Sequence, residues 1–219
     1  MAKKLPHTSK QMKNRILDEA IKCFAKKGFE GTSIQEIAEA VGIRRPSILY
    51  HFQTKEKLRE EVLHYLINMW TKEIPRILIT AQDGEDRFTS IAMSLVDLFT
   101  EDRNRAFYMI REMLDKPDEI GPIVSYAIKP WKLLLVEYIR LGKMMGTIRK
   151  DVTPQTFLGA VLILILGIVT FGRTISDIFE IEPATSNDPL IRELLRLTKT
   201  SLYHDKNPAR RKKTDASRR

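Results

Sequence analysis

Residues 28–58 read GFEGTSIQEIAEAVGIRRPSILYHFQTKEKL, and the order of side chains in that stretch decides the fold. Ser33-Ile34-Gln35-Glu36 has the reciprocal capping pattern, in which the Ser33 hydroxyl and the Glu36 carboxylate each satisfy an orphan amide at a helix start. A short helix is therefore predicted to about Ala40. Gly42 stands where the chain must turn sharply, and a further helix opens near Arg44 or Arg45. Pro46 is tolerated there because first-turn amides have no partner within the helix. Ile48 and Phe52, four apart, are expected to pack inward against Ile34, Ile37 and Val41, which leaves Arg45, Leu49 and Tyr50 outward. Thr54 then caps a long helix with Glu56 in its first turn.

Outward from this stretch the chain reads as all-α. Glycine and proline are sparse and fall between apolar periodic stretches, no run alternates with period two for long, and no repeat is visible. A first helix covers about Lys10–Lys27, with Ile16, Leu17, Ala20, Ile21 and Phe24 on one face and Gly28 as its stop. The helix that opens at Thr54 carries Leu58, Val62, Tyr65, Leu66 and Met69 as its apolar stripe, and Pro75 is expected to kink or end it. Further helices are expected at about Glu85–Thr100, Arg103–Asp115, Gly121–Met145 with a bend at Pro130, Thr153–Phe179 and Asn187–Tyr203. Residues 1–53 form one expected domain, 54–205 a second helical domain, and 206–219 a basic disordered tail.

Two short helices joined at a glycine, the second opening with cationic and hydroxyl side chains, are the sequence form of a helix-turn-helix. A helix fits the major groove, and its first turn reaches base edges. Arg44 and Arg45 can each present a planar fork to guanine O6 and N7, and Ser47 can bond a base or a phosphate. The Gly-x-x-Gly-Thr-Ser start, the Val-Gly-Ile turn, the Tyr-His-Phe end and the Lys-Glu-x-Leu helix opening, at these spacings, resemble the DNA-binding domain of the TetR family of transcriptional regulators. The resemblance covers about 45 residues. It implies base contacts from Arg44, Arg45, Pro46, Ser47, Leu49 and Tyr50, and phosphate contacts from Thr32, His51 and Lys55. The family often has a small polar residue where Arg44 stands and a tyrosine where Leu49 stands, a departure that bears on the operator sequence rather than on the docking mode.

Charge is unevenly distributed along the 219 residues, whose formal net charge is +9. Residues 1–60 carry 13 basic and 7 acidic groups, 61–205 carry 17 and 20, and 206–219 carry 7 and 1. A basic front and a mildly acidic middle suggest that one end meets a polyanion. The single cysteine, Cys23, excludes an intrachain disulfide, and the amino end lacks the apolar segment of a secretory signal, so the cytoplasm is the expected compartment. The most apolar run, Phe157–Phe171, is shorter than the ~20 residues of a membrane-crossing helix. An enzyme is not expected: the histidines at 7, 51, 64 and 204 lack metal-ligand spacing, and there is no phosphate-cradling glycine loop or nucleophile motif. Glu61-Val62-Leu63-His64 matches one Glu-x-x-His element of a helical di-iron site, which needs a second copy. No metal or cofactor is expected.

The resemblance further implies a homodimer through the last two helices and a near-palindromic double-stranded operator. The run Phe157–Phe171 is apolar on every face and needs cover beyond a single stripe. Phe157, Leu158, Val161, Leu162, Ile165, Ile191, Leu194 and Leu195 are the expected interface. A small apolar or amphipathic effector is expected among Phe99, Phe107, Tyr108, Met109, Met113, Trp131, Tyr138, Met144 and Met145, although such residues at helical spacing also build plain core. The implied function is a repressor released from its operator by that ligand; the alternative is a DNA-binding protein controlled by a partner or by no ligand.

Overall fold

The computed structural model describes residues 9–81, 86–182 and 188–204, and among these the fold is all-helical with no strand. The helices are α1 (Ser9–Lys27), α2 (Ile34–Val41), α3 (Arg45–Phe52), α4 (Lys55–Thr80), α5 (Asp86–Glu101), α6 (Arg103–Asp115), α7 (Pro117–Met144), α8 (Pro154–Ile178) and α9 (Pro189–Leu202). The tail 206–219, His7 and the expected helix starts at Glu85 and Asn187 lie outside the described residues.

The capping reading of Ser33 is met on both sides. The Glu36 amide donates to the Ser33 hydroxyl at 3.1 Å, and the Ser33 amide donates to the Glu36 carboxylate at 2.8 Å. Gly42 closes α2 at φ 76°, a left-handed conformation that a side chain resists. Neither Pro75 nor Pro130 ends its helix. α4 continues through Pro75 to Thr80, because Ile74 and Leu78 are both buried and hold the helix on either side of the missing hydrogen bond. α7 runs unbroken through Pro130 and begins four residues earlier than expected, at Pro117, where a proline costs nothing and Asp118 and Glu119 complement the helix dipole.

The chain forms two compact units: Met1–Thr80 with Asp97–Lys129, and Ala81–Val96 with Pro130–Arg219. The first thus extends well past residue 53. Its core gathers Ile16, Ala20 and Phe24 of α1, Ile37 of α2, Ile48 and Phe52 of α3, Leu58, Val62 and Leu66 of α4, and Tyr108 of α6. The ring of Tyr108 stacks on Phe24 at 6.1 Å, and its hydroxyl donates to the Arg59 carbonyl at 3.3 Å. Arg59 Nε reaches both Glu112 carboxylate oxygens, at 3.0 and 2.8 Å, while Arg111 Nε donates to the Ala25 carbonyl at 2.9 Å. Neighbouring side chains of α6 therefore hold α4 and the end of α1 together.

In the second unit α8 packs on α9, with Val161, Ile165, Val169 and Gly172 facing Leu194, Thr198 and Leu202 as the buried residues of the two helices. The turn after α7 folds back tightly: the amides of Thr147 and Ile148 both donate to the Gly142 carbonyl, and a Cβ at Gly142 would lie 2.5 Å from Ile148 Cδ1. Ile148 pairs with Tyr203 in an isolated antiparallel bridge, with the Arg149 amide donating to the Leu202 carbonyl at 3.1 Å.

Candidate nucleic-acid interface

α3 is anchored by its inward pair and open on the other side. Ile48 and Phe52 are fully buried, as the four-residue spacing predicted, while Arg44, Arg45, Pro46, Ser47 and Tyr50 are exposed, Tyr50 at 81%. Leu49 is half-buried rather than fully outward. Arg44 occupies the N-cap in an extended conformation without a side-chain capping bond, and Arg15 of α1 ties down the end of α2 just before it, its guanidinium donating to the Val41 carbonyl at 2.9 Å. His51 lies half-buried between the rings of Tyr50 and Phe52, at 5.4 and 6.1 Å. Pro46, Ser47, Tyr50 and His51 line one open hollow of about 500 Å³ with Met12 and Ile43.

Charge pairing separates this surface from its surroundings. Lys13 pairs with Glu61 at 3.0 Å, Lys22 with Glu19 at 2.7 Å, Lys57 with Glu60 at 2.6 Å, and Lys27 with Glu36. The Lys27 ammonium, with the Ser33 amide and hydroxyl, holds the Glu36 carboxyl down to about 2. Arg44 and Arg45 make no ion pair among the described residues.

The two other expected phosphate contacts divide. Lys55 is the first residue of α4, half-buried, with its ammonium 4.2 Å from the centre of the Phe29 ring. Thr32 is only 2% exposed, and its hydroxyl is within reach of the Gly28 and Cys23 carbonyls at 2.8 and 3.2 Å. Its amide also bonds the Phe29 carbonyl. Thr32 therefore tightens the turn between α1 and α2 instead of presenting its hydroxyl to a ligand.

The expected effector residues are shared between the two compact units. In the first unit, Tyr108 and Met109 are core residues packed with α1 and α4, Phe107 is half-buried against that core, Phe99 is buried edge-on to Trp70 at 5.2 Å, and Met113 is exposed. In the second, Trp131 and Tyr138 are half-buried, with the Tyr138 hydroxyl 3.1 Å from that of Tyr203. Met144 and Met145, at the end of α7, are 78% and 77% exposed, which removes them from any interior lining. Trp70, which the sequence reading passed over, and Trp131 each hold a buried indole N–H without a hydrogen-bond partner. For Trp70 only that orphaned donor, invisible in a sequence, marks it out.

The expected dimer residues also sort by face. Val161, Ile165 and Leu194 are buried in the seam between α8 and α9, with Ile165 at 0%, and so are interior to the subunit. Phe157, Leu158, Ile191 and Leu195 are half-buried and Leu162 is exposed. The open side of α8 carries Gly159, Ala160, Ile163 at 71%, and Phe171. α8 is 25 residues long with a hydropathy of 2.2 in its most apolar window, of which 22% is buried, so by length and composition alone it could cross a membrane. The helix extends past the apolar run Phe157–Phe171 at both ends, to Pro154 and Ile178. Among the described residues no cluster of three or more His, Cys, Asp or Glu is gathered for a metal ion.

An exposed, unpaired pair of arginines on the second of two short helices, held by a shared core, defines a helix-turn-helix protein. Residues 16–62 match the family model described as "Bacterial regulatory proteins, tetR family". A stretch of 50 residues is 42% identical to the Staphylococcus aureus negative transcriptional regulator of the biofilm operon icaADBC, IcaR, covering 23% of this chain and 27% of that one. The alignment thus spans about a quarter of the relative's length. Over 153 residues, 69% of this chain and 74% of the other, it is 24% identical to the transcriptional repressor KstR2 of Mycolicibacterium smegmatis. Among solved structures, the fatty acid degradation regulator FadR of Bacillus halodurans aligns with a TM-score of 0.68 at 18% identity, over 91% of this chain and all of that one. A putative regulator from Saccharomonospora viridis in complex with choline also gives 0.68, at 20% identity, over 90% and 100%. These likenesses extend the shared fold along nearly the whole chain, and residues 16–62 carry the DNA-binding domain of the TetR family.

Proposed function

We propose that this chain is a cytoplasmic, sequence-specific regulator of transcription that binds double-stranded DNA as a homodimer and represses until a small apolar or amphipathic ligand releases it. The observation that carries the reading is the α3 surface: Arg44 and Arg45 are exposed and without an ion pair among the described residues, while Lys13 and Lys57 pair with glutamates, and Pro46, Ser47 and Tyr50 stand beside them. In the major groove the two guanidiniums would fork onto guanine O6 and N7, while Ser47, Leu49 and Tyr50 meet adjacent bases and thymine methyls. His51 and Lys55 would hold flanking phosphates, Lys55 at the positive end of α4. Repression is supported by the names of two similar proteins, each called a negative regulator or repressor.

Dimerisation is supported by the open apolar side of α8. Such a face needs permanent cover, and Gly159 and Gly167 permit close approach of a second backbone. The pairing surface in this reading is Gly159, Ile163, Gly167 and Phe171 rather than Val161, Ile165 and Leu194. Two-fold pairing would set the two α3 helices about one DNA turn, ~34 Å, apart on a near-palindromic site. The effector reading draws on the choline complex of a similarly folded protein. Ligand binding would bias the tilt of α4, which shares a core with α1, α2 and α3, and so change the separation of the two α3 helices. A coupling of ~1–3 kcal/mol suffices for a useful switch.

Footprinting of the purified protein on DNA flanking its own gene, repeated with metabolite and drug panels, tests the reading. Protection of two half-sites a turn apart, lost with one compound, is the expected result. Protection that no compound relieves, together with no responder in thermal shift, selects the ligand-independent alternative. Equal recognition-helix separation in operator-bound and ligand-bound crystals would sink the α4 lever.

A further inference from the structure

The phosphate reading of Lys55 leaves one arrangement unused. Two cations of α4, one turn apart, lie over a single ring: Lys55 Nζ is 4.2 Å and Arg59 Cζ 4.5 Å from the centroid of Phe29. Phe29 is half-buried in the turn between α1 and α2, tilted against Phe24 at 5.6 Å. Its turn is itself held by Thr32 from within and by Arg111 at the end of α1. Like charges four apart on a helix repel, so this pairing needs an explanation. Glu112 supplies it: buried at the foot of Arg59, its two carboxylate oxygens accept the hydrogen bond that Arg59 Nε donates, and the ion pair offsets the guanidinium charge. Burial pushes the Glu112 carboxyl upward while the Arg59 hydrogen bonds oppose the shift. Lys55 itself has no carboxylate partner among the described residues, so the ring is what it rests on.

We infer that Phe29 is a positioning residue for DNA binding: its ring holds the Lys55 ammonium at the mouth of α4, and Glu112 of α6, by neutralising Arg59, keeps that ring available to Lys55. A lysine side chain that is free in solution loses rotamer freedom when it meets a phosphate, whereas one already resting on an aromatic face has lost much of it beforehand. The same contacts run from α6 to the DNA-binding surface inside one compact unit, so a change at α6 reaches a phosphate contact without any change in α3. The inference rests on the proposal that Lys55 meets a phosphate.

The test is salt-dependent binding of the full chain to a fluorescent duplex of random sequence. Each phosphate neutralised contributes about −0.9 to the slope of log K against log salt. Lys55→Met is expected to reduce the slope by about 0.9 per bound subunit. Phe29→Leu is expected to reduce it equally, Phe29→Tyr to leave it intact, and the double variant Phe29→Leu with Lys55→Met to lose no more than either alone. Phe29→Met fills the space without a ring and serves if the leucine variant does not fold. Glu112→Gln removes a negative charge, which by itself strengthens DNA binding; here it is expected to weaken it. An unchanged slope in Lys55→Met removes the phosphate reading beneath the inference. A reduced slope in Lys55→Met beside a wild-type slope in the Phe29 variants, or additive losses in the double variant, overturns the inference itself, as does tighter binding by Glu112→Gln.

Discussion

α3 and α8 both carry a face that no other described segment covers, yet the two faces differ in kind. On α3 the open side is cationic and hydroxylic: Arg44, Arg45, Ser47 and Tyr50 stand over an inward pair, Ile48 and Phe52. On α8 it is apolar and small: Gly159, Ala160, Ile163 and Phe171 stand opposite Val161, Ile165 and Val169. Water solvates the first well, so α3 can wait for a polyanion and release it. It solvates the second poorly, so α8 calls for a partner that stays. In the proposed function, reversible binding and permanent assembly thus follow from the polarity of two exposed helix faces.

The comparison breaks most visibly if α8 is made wet. Ile163→Asp is expected to turn the dimer into a monomer in sedimentation equilibrium and to weaken operator binding about 10²-fold or more, because two linked half-site contacts become one. A monomer already in the wild type, or a wild-type protein that sediments with lipid vesicles, would assign the α8 face to another partner. Ile48→Ala attacks α3 from inside instead. It is expected to cost about 2–5 kcal/mol of stability in denaturant unfolding, since the site lies wholly within the core and cannot collapse around the lost atoms.

Arg45→Ala, on the outer side of the same helix, should leave unfolding unchanged while costing ~1–3 kcal/mol of operator binding and relaxing preference at one base pair. An unaltered specificity profile would return Arg45 to ordinary surface charge. Ser33→Ala is expected to lower stability by about 1 kcal/mol through loss of the α2 cap. The smallest effect follows from Glu36, whose carboxyl is held at about 2 against an ordinary value of 4.5. A depressed carboxyl stabilises the fold above its unfolded value and loses that contribution as pH falls toward 2. The difference in melting temperature between wild type and Glu36→Gln should therefore be full above pH 4.5 and shrink below it.

How much of this was legible in the sequence depended on whether a local rule or a distant contact decided each feature. The Ser33–Glu36 box, the glycine at φ 76° and the inward pair of α3 each follow from side chains within a few positions, and all stand in the structure. α8 offered no such guide. A helix that is apolar all round has no period to read, so Val161 and Ile165 were expected at the surface that they turn away from. The compact unit that joins α6 to α1 and α4 was equally hidden, because Arg59 and Glu112 meet across 53 positions of chain. Thr32 was expected to hold a phosphate on the resemblance alone, and only the folded turn shows its hydroxyl bonded within. At Pro75 the helix does not end, and Ile74 and Leu78 on either side of the lost hydrogen bond are both buried.

The most direct test is selection of bound duplexes from a random pool by the purified protein at a salt concentration near that of the cell. The account predicts enrichment of one near-palindromic sequence, with guanines in each half-site, and loss of that enrichment in the Arg44→Ala, Arg45→Ala double variant. A pool that remains random, or a sequence selected as well by the double variant as by the wild type, would contradict it.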